Sequence, residues 1–172
     1  ISAFGTVEQK KKFLPRLVRG EVWGAWGLTE AGAGSDAAGM RTTATRQGEC
    51  WVINGAKTFI THGRIGGVMV VIAVTDRTKG HRGISAFIVE QGTPGMSAGK
   101  KENKLGMRAS DTSEVIFDNC RVPFDRLLGE AGQGFVNTLQ VLDGGRIGIA
   151  ALSVGLAQGA YEAALNYAKE RR

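Results

Sequence analysis

The chain has 172 residues, of which 42% are hydrophobic and 22% charged, a composition typical of one globular domain. Its two cysteines, Cys50 and Cys120, lie far apart without a CxxC motif or a histidine cluster. This pattern argues against a disulfide framework and a metal site, and it favours a reducing compartment. The formal net charge is +6, and either solvated lysines such as Lys10–Lys12 or a surface for an anionic ligand accounts for it. No helix-turn-helix, zinc-finger or RNP pattern indicates nucleic-acid binding.

The ends and the apolar runs of the chain bear on targeting. The longest nearly apolar run, GIAALSVGLA from Gly148, is shorter than the roughly 20 residues that cross a bilayer, so no membrane span is predicted. The first residues, ISAFGTVEQKKK, lack the basic-then-apolar order of a secretory signal. Because the sequence begins with isoleucine, we expect it to be part of a longer protein.

The first twenty residues predict a short helix. In VEQKKKFLPRLV, apolar residues recur at helical spacing from Val7 to Val18, and Pro15 is predicted to break the helix. One or two turns cannot bury an apolar face alone, so this segment needs the rest of the chain.

Residues 21–132 predict short strands separated by polar turns. CWVIN leads into Asn54-Gly55, a pair that favours a tight hairpin turn, and KTFIT is the predicted return strand. VMVVIAVT at 68–75 and GISAFIVE at 83–90 are rich in β-branched residues and flank a polar loop. Strands without intervening helices predict an antiparallel barrel or sandwich, and the whole chain is predicted to be α+β.

Residues 133–172 predict one long helix. No proline occurs after Gly134, apolar residues recur at three- and four-residue steps, and the helix would be roughly 55 Å long at 1.5 Å per residue. Five glycines, each costing up to about 1 kcal/mol against alanine, weaken such a helix unless other helices pack closely on it. We therefore expect partner helices outside this chain, so that the chain is a fragment, an obligate oligomer or both.

The stretch GLTEAGAGSDAAG, Gly27–Gly39, has too little apolar bulk for a core strand and too much glycine for a stable helix. Glycine and alanine let the backbone approach a flat, bulky ligand, and the hydroxyls supply hydrogen bonds without charge. Taken alone, the stretch also suits a plain glycine-rich surface loop, because a single GxGxxG-like run is weak evidence.

With its neighbours, this stretch resembles the signature of the acyl-CoA dehydrogenases, and every constrained position matches. The resemblance continues in family order and covers essentially the whole chain. It runs through NGAKTFIT, GISAFIVE, TPGM, GKKENKLGMRASDT, VIFDNCRVPFDRLLGEAGQGF, LDGGRIGIAA and YAKERR.

The resemblance implies a fold and an activity. Residues 1–20 would end an amino-terminal helical domain, 21–132 would form the middle β-domain, and 133–172 would be the first long helix of a carboxy-terminal four-helix bundle. Family members hold FAD and convert acyl-CoA thioesters to trans-2-enoyl-CoA. A glutamate takes the α-proton, flavin N5 accepts the β-hydride, and electrons pass to an electron-transfer flavoprotein. The usual assembly is a dimer of dimers.

The resemblance also assigns cofactor contacts in the signature. Trp26, Leu28 and Thr29 would contact the flavin, with Thr29 at the N5/O4 edge where negative charge gathers on reduction. Ser35 would lie where FAD meets the pantetheine arm of CoA, and so would touch both cofactor and substrate.

Further cofactor contacts lie outside the signature. Phe59, Ile60 and Thr61 match a segment whose aromatic, often tryptophan, lies against the isoalloxazine; phenylalanine can stack there but cannot donate a hydrogen bond. His62 stands where asparagine is common and is expected to be a partly exposed loop residue. Arg171 matches an arginine that reaches the FAD of a neighbouring subunit, where its planar fork suits pyrophosphate.

Asp143 and Arg146, three residues apart on one helical face, match the acyl-CoA site, with Arg146 at the CoA moiety and Asp143 orienting the helix. A salt-bridged helix surface is the plainer reading.

In most of the family the catalytic base lies beyond the end of this chain. In isovaleryl- and long-chain-like members it immediately precedes the arginine that matches Arg146, where Gly145 stands here. Glu30 is interpreted as structural. We therefore expect no catalytic base within residues 1–172 and no activity from these residues alone.

Two other functions stay open. An acyl-CoA oxidase has the same fold and differs in passing electrons to oxygen. A DNA-binding flavoprotein relative is permitted by the positive charge, but duplex binding needs a clustered basic face, and the lysines and arginines here are largely scattered.

The acyl chain length of the substrate is not determined, although LDGGRIGIAA is most similar to short- and medium-chain or short-branched members. A bacterial cytoplasm and a mitochondrial matrix are both consistent with the sequence.

Overall fold

The computed structural model describes all 172 residues, which form two compact units, Ile1–Phe135 and Val136–Arg172. The first unit holds one helix and eight strands, with short 3₁₀ turns between them, and a second helix begins at its end. The bounds are α1 Val7–Val18, β1 Trp23–Gly27, β2 Thr43–Gln47, β3 Cys50–Thr61, β4 Gly66–Val74, β5 Ile84–Glu90, β6 Met96–Lys101, β7 Thr112–Pro123, β8 Leu127–Leu128 and α2 Gly134–Glu170.

Helix α1 begins with a capping box. The Thr6 hydroxyl accepts the Gln9 amide at 3.2 Å, and the Gln9 side chain accepts the Thr6 amide at 3.1 Å. The Gln9 side-chain amide also donates to the carbonyl oxygens of Asp125 and Leu127, at 2.7 and 2.8 Å. These bonds fasten the helix to the segment that leads into β8.

The predicted break at Pro15 is wrong, because α1 continues through it to Val18. Pro15 and Lys11 are both exposed, so the hydrogen bond that proline cannot donate to the Lys11 carbonyl is lost on the solvent side of the helix. On the opposite side Phe13 is only 1% exposed. Burial of Phe13 and the bonds of Gln9 offset the lost hydrogen bond.

The strands form one mixed sheet in the order β6-β7-β3-β2-β4-β5-β8, and β1 pairs with β4 outside this path. Both β1 and β2 run parallel to β4, whereas all other pairs are antiparallel. The α+β class is confirmed. The predicted antiparallel barrel or sandwich is corrected in two details: the sheet is mixed, because β1 and β2 both run parallel to β4, and it is not closed into a barrel.

The core consists of two apolar clusters. Strand β4 alternates between them, with Met69, Val71 and Ala73 in the first cluster and Val68 and Ile72 in the second. Strand β5 alternates in the same way, so the centre of the sheet is buried on both faces. The second cluster is completed by apolar residues of α1 and of the loop after β1, which places the segment 28–40 against a fixed support.

The predicted hairpin at Asn54-Gly55 is wrong, since both residues lie inside the continuous strand β3. The turn instead occupies Gly48 and the following residue, because β2 and β3 pair up to Gln47↔Cys50. Asn54 accepts the Asn119 amide at 2.8 Å beside a bulge in β7. Gly55 has a φ of 142°, and a Cβ there would lie 2.5 Å from Thr42 Oγ1. The asparagine and glycine accommodate a bulge and a close approach rather than a turn.

Helix α2 confirms the predicted long helix, with 37 residues and no proline. Its apolar side chains are largely exposed, and none of its five interior glycines has a neighbour within 4 Å of an added Cβ. One 18-residue window has a mean hydropathy of 1.2, so by length and composition alone α2 is long and apolar enough to cross a membrane. The buried core helices of soluble proteins can be equally long and apolar. The absence of a membrane span therefore stays a prediction.

Candidate functional site

The candidate site lies where the end of β1 and the chain after it meet the second half of β3. The Thr58 amide donates to the Thr29 carbonyl at 2.8 Å and joins the two segments. Gly27, the last residue of β1, is buried, and an added Cβ would lie 3.3 Å from Lys57 Cγ and 3.4 Å from Met69 Sδ. A larger residue at position 27 would separate the two segments, so this glycine is explained by close approach.

A β-bulge directs Phe59 outward. Lys57 pairs with Val115 and Ile60 with Ser113, so β3 has one more residue than β7 between these pairs. Phe59 has a φ of 56°, in the left-handed region, and its side chain is 65% exposed. Bulges and left-handed non-glycine residues concentrate near functional sites, where they redirect side chains. The local backbone thus presents an aromatic face to solvent directly beside the Thr58–Thr29 bond.

A buried ion pair lies under the site. Lys57 is completely buried and Glu30 is 9% exposed, and the Lys57 ammonium donates to Glu30 Oε1 at 2.8 Å and to the Leu28 carbonyl at 3.0 Å. Glu30 also accepts the backbone amides of Arg41 at 2.6 Å and Thr42 at 2.9 Å. The pair therefore joins β3, the segment 28–30 and the chain entering β2.

The protonation of this pair follows from its contacts. Burial alone would raise the pKa of Glu30, but hydrogen bonds from Lys57, Thr42 and the Arg41 amide outweigh burial and hold this pKa below its ordinary value. Burial lowers the pKa of Lys57, and the bond to Glu30 offsets part of that effect. A carboxylate that already accepts these bonds in a closed environment is a poor proton acceptor, which agrees with the interpretation of Glu30 as structural.

The rest of the Gly27–Gly39 stretch folds back on itself. Glu30 and Ala33 exchange two backbone hydrogen bonds, of 3.0 and 3.1 Å. Gly32 and Gly34 have open space around them, and Ser35 is exposed. The stretch therefore combines an anchored beginning with an open backbone surface that side chains do not obstruct.

His62 fastens the edge of the site. Its φ is 58°, its Nδ1 lies 2.9 Å from the Gly24 carbonyl, and its ring centroid lies 5.0 Å from that of Trp23. His62 is half-buried, as expected for a partly exposed loop histidine. Its contacts with Gly24 and Trp23 connect β1 to the end of β3.

The structure brings most of the predicted cofactor-binding residues together. Trp26, Leu28 and Thr29 are half-buried at the end of β1, while Phe59 and Thr61 are exposed on β3. Ile60 is only 2% exposed and belongs to the first core cluster, so its side chain packs inward and only its backbone is available to a ligand.

The exposed groups suit a flat aromatic ligand with a polar edge. The Phe59 ring offers an apolar face for stacking, and the Thr61 hydroxyl, which has no hydrogen bond to protein, offers a donor and an acceptor. Thr58 Oγ1 is buried without a hydrogen-bond partner in the same bulge. These features fit the isoalloxazine of FAD.

The other predicted residues lie in the second compact unit. Asp143 and Arg146 form an ion pair of 3.4 Å and are 72% and 74% exposed, as the plainer reading of a salt-bridged helix surface required. Gly145 lies in open space beside them. Arg171 follows the end of α2, is exposed, and donates its backbone amide to the Tyr167 carbonyl at 2.9 Å.

Sequence reasoning missed Lys57. A signal was present, because a lysine at an inward position of an otherwise apolar strand has to find a buried partner. Glu30, in a stretch already singled out, was the available acid. The hydrogen bonds from the backbone amides of Arg41 and Thr42 could not be predicted from the sequence, because every residue except proline has the same main-chain donor.

Comparisons with known proteins identify the family of the chain. The family described as "Acyl-CoA dehydrogenase, middle domain" matches residues 25–120, and "Acyl-CoA dehydrogenase, C-terminal domain" matches residues 132–172. A short-chain specific acyl-CoA dehydrogenase of Clostridium acetobutylicum is 51% identical over 100% of this chain and 45% of its own length. The mitochondrial short-chain specific acyl-CoA dehydrogenase of Homo sapiens is 47% identical over 99% of this chain and 42% of its own length.

Solved structures give the same result. Butyryl-CoA dehydrogenase from Megasphaera elsdenii superposes with a TM-score of 0.95 at 48% identity, over 98% of this chain and 44% of that chain. A structure described as an electron transferring flavoprotein of Acidaminococcus fermentans superposes with a TM-score of 0.96 at 49% identity, over 100% of this chain and 45% of that chain. The chain thus spans less than half the length of these relatives. It belongs to the acyl-CoA dehydrogenase family.

Proposed function

We propose that this chain is the flavin-binding core of an FAD-dependent dehydrogenase that converts short-chain acyl-CoA thioesters to trans-2-enoyl-CoA. The observation that carries the proposal is the edge formed by Thr29 and Phe59, which the buried Lys57–Glu30 pair supports from beneath. The short-chain preference is supported by the relatives, whose names specify short-chain or butyryl substrates.

In this proposal FAD, when bound, supplies the two-electron acceptor for the hydride that leaves the substrate β-carbon. The chain's own residues hold and shield that acceptor. Trp26 and Leu28 provide apolar contact, and the Phe59 ring stacks on one face of the flavin. Thr29 and Thr61 offer hydroxyl and backbone groups to the polar edge, where they stabilise the charge that develops on reduction.

The exposed backbone of Gly32–Ser35 continues from this edge. Because no side chain fills the space at Gly32 or Gly34, the long pantetheine arm of an acyl-CoA can lie close to the main chain there. Ser35 then supplies a hydroxyl to substrate and cofactor. In the second unit, Arg146 is proposed to contact CoA, Asp143 to orient it, and Arg171 to bind pyrophosphate of FAD in a neighbouring subunit.

The catalytic base is proposed to lie outside residues 1–172. Glu30 is buried and accepts bonds from Lys57 and two backbone amides, so it cannot approach a substrate α-carbon. The position before Arg146 is Gly145, which has no titratable group. Residues 1–172 therefore bind and orient the cofactor and substrate, and a glutamate from elsewhere in the protein removes the proton.

An electron-transfer flavoprotein is the proposed electron acceptor. The proposal is supported by a solved structure, 49% identical to this chain, whose description names an electron transferring flavoprotein. The proposed assembly is a dimer of dimers. It provides partner helices for α2, whose apolar side chains are exposed. The proposed compartment is the bacterial cytoplasm or the mitochondrial matrix, since the relatives include a bacterial and a mitochondrial protein.

The test uses the complete protein that carries these residues, purified and saturated with FAD. Butyryl-CoA is added without oxygen while the flavin absorbance band is recorded, and trans-2-butenoyl-CoA is then measured in the mixture. We expect the band to bleach and the enoyl product to form in an amount equal to the flavin. Protein without a flavin band, or a bound flavin that no acyl-CoA bleaches, would contradict the proposal.

Admitting oxygen to the reduced protein separates the dehydrogenase from the oxidase. A dehydrogenase regains its flavin band quickly only when an electron-transfer flavoprotein or an artificial dye is added, whereas an oxidase regains it with oxygen and forms hydrogen peroxide. Duplex DNA binding that weakens steeply with salt would instead support the DNA-binding alternative.

A further inference from the structure

The Lys57–Glu30 pair connects the two halves of the candidate site. The Lys57 backbone belongs to β3, one residue before Thr58 and two before Phe59, while its ammonium bonds to the Leu28 carbonyl and to Glu30 on either side of Thr29. Both side chains are at least nine-tenths buried and neither reaches the exposed edge. The pair therefore acts on that edge only through the main chain.

We propose that Lys57 and Glu30 are positioning residues. By joining the main chain of residues 28–30 to the bulge of β3, they set the distance between Thr29 and Phe59 and so determine how tightly the flavin is held. This inference rests on the proposed function insofar as it names the flavin as the ligand of the edge.

Packing alone does not require a charged pair at the position of Lys57 and Glu30. An apolar pair of similar volume would fill the same space without the desolvation of two charges, and such replacements are often neutral or stabilising. What an apolar pair cannot do is bond the Leu28 carbonyl and the amides of Arg41 and Thr42. The charged pair fixes three backbone segments with four hydrogen bonds of 2.6–3.0 Å. That set of bonds points to geometric control.

The experiment has to exclude a purely structural pair. In the complete FAD-loaded protein, the double variant Lys57→Met/Glu30→Gln removes both charges and the bond to Leu28. It keeps at most one of the two amide bonds, because Arg41 and Thr42 donate to different carboxylate oxygens of Glu30 and glutamine has a single accepting oxygen. Lys57→Gln/Glu30→Gln is the second variant, for use if the first does not fold, because it also removes both charges and its two side-chain amides can still bond each other. Lys12→Met is the matched control, because Lys12 forms a 2.9 Å ion pair with Glu90 that is half exposed.

Three quantities are measured on folded protein. Hydrogen exchange of the FAD-free form reports the Thr58 amide, which donates to Thr29. FAD dissociation constants and the visible circular dichroism of bound flavin report the ligand. We expect faster Thr58 exchange, FAD binding weaker by about tenfold or more as preorganisation is lost, and altered dichroism in the variant, with none of these in Lys12→Met.

The outcomes separate the two proposals. Unchanged Thr58 exchange together with unchanged FAD affinity and dichroism in the folded variants would overturn the positioning role. Lower thermal stability alone, with exchange and flavin signals as in the parent, would also overturn it and leave a purely structural pair. If the parent protein binds no FAD, the proposed function fails, and Thr58 exchange still decides whether the pair positions the edge.

Discussion

The β-sheet unit, Ile1–Phe135, and the helical unit, Val136–Arg172, differ in where they keep their apolar side chains. In the first, Phe87 and Ile88 are both 0% exposed although they point to opposite faces of β5. In the second, Ile147 is 75% and Leu156 67% exposed along α2. A unit with its own core can fix a polar pair or a strained residue in place. A lone helix cannot, so its residues gain a defined role only from contacts that this chain does not contain.

The largest expected effect lies in the sheet unit. Lys57→Met alone leaves the Glu30 carboxylate buried without its cation, and breaking a buried pair in this way costs about 3–5 kcal/mol of unfolding free energy. The double variant Lys57→Met/Glu30→Gln should recover part of that loss, because no charge stays unpaired although one of the two backbone amides loses its acceptor. Urea unfolding of the two variants and the parent measures the difference. Equal stability of the single and double variants would show that the pair is not coupled.

Gly55→Ala tests the close approach that replaced the predicted hairpin turn. The φ of 142° and the added Cβ, 2.5 Å from Thr42 Oγ1 and 2.7 Å from Thr42 Cα, force backbone movement, which should cost about 1–3 kcal/mol. Gly106→Ala is the control, because nothing lies within 4 Å of its added Cβ. Thermal unfolding of both variants is the measurement, and an equal melting temperature would contradict the assigned role of Gly55.

The position of Gly55 also shows what sequence could and could not predict. Alternating apolar residues identified most strands, and the spacing in α2 predicted its length, because these patterns reflect burial that the chain itself encodes. Asn54-Gly55 was misassigned because the same positive-φ tolerance serves a turn and a bulge. Pro15 was misassigned because tertiary burial of Phe13 outweighed a local penalty.

The candidate site was predictable as a set of residues but not as a geometry. The family resemblance of the Gly27–Gly39 stretch indicated one half, and that of KTFIT indicated the other. The bulge that turns Phe59 outward depends on the register of β7, more than fifty residues later, which local patterns do not report. Long-range pairing likewise hid the Lys57–Glu30 contact.

The pH dependence of stability separates the two members of the pair. The pKa of Glu30 is held below its ordinary value of 4.5, so its stabilisation is complete above that pH and is lost as pH falls through the folded-state pKa. Burial lowers the pKa of Lys57 from 10.5, so stability also rises with pH in a separate range, between the folded-state pKa of Lys57 and 10.5. In urea unfolding below pH 4.5, Glu30→Gln should therefore lose less stability per pH unit than the parent. Parallel slopes for the two proteins would contradict this assignment.

The smallest effect on stability is expected in α2. The Asp143–Arg146 pair is more than 70% exposed, and such pairs contribute about 0–1 kcal/mol, so Arg146→Gln should hardly change the melting temperature. If Arg146 contacts CoA as proposed, the same variant raises KM for butyryl-CoA in the complete protein while kcat changes little. Glu162→Gln, which alters a polar contact of Gln158 on the same helix, is the control and should change neither quantity. An unchanged KM would leave Arg146 as a surface residue. A raised KM without loss of stability would show that the role of this helix lies in what it contacts, whereas the sheet unit fixes its site by its own folding.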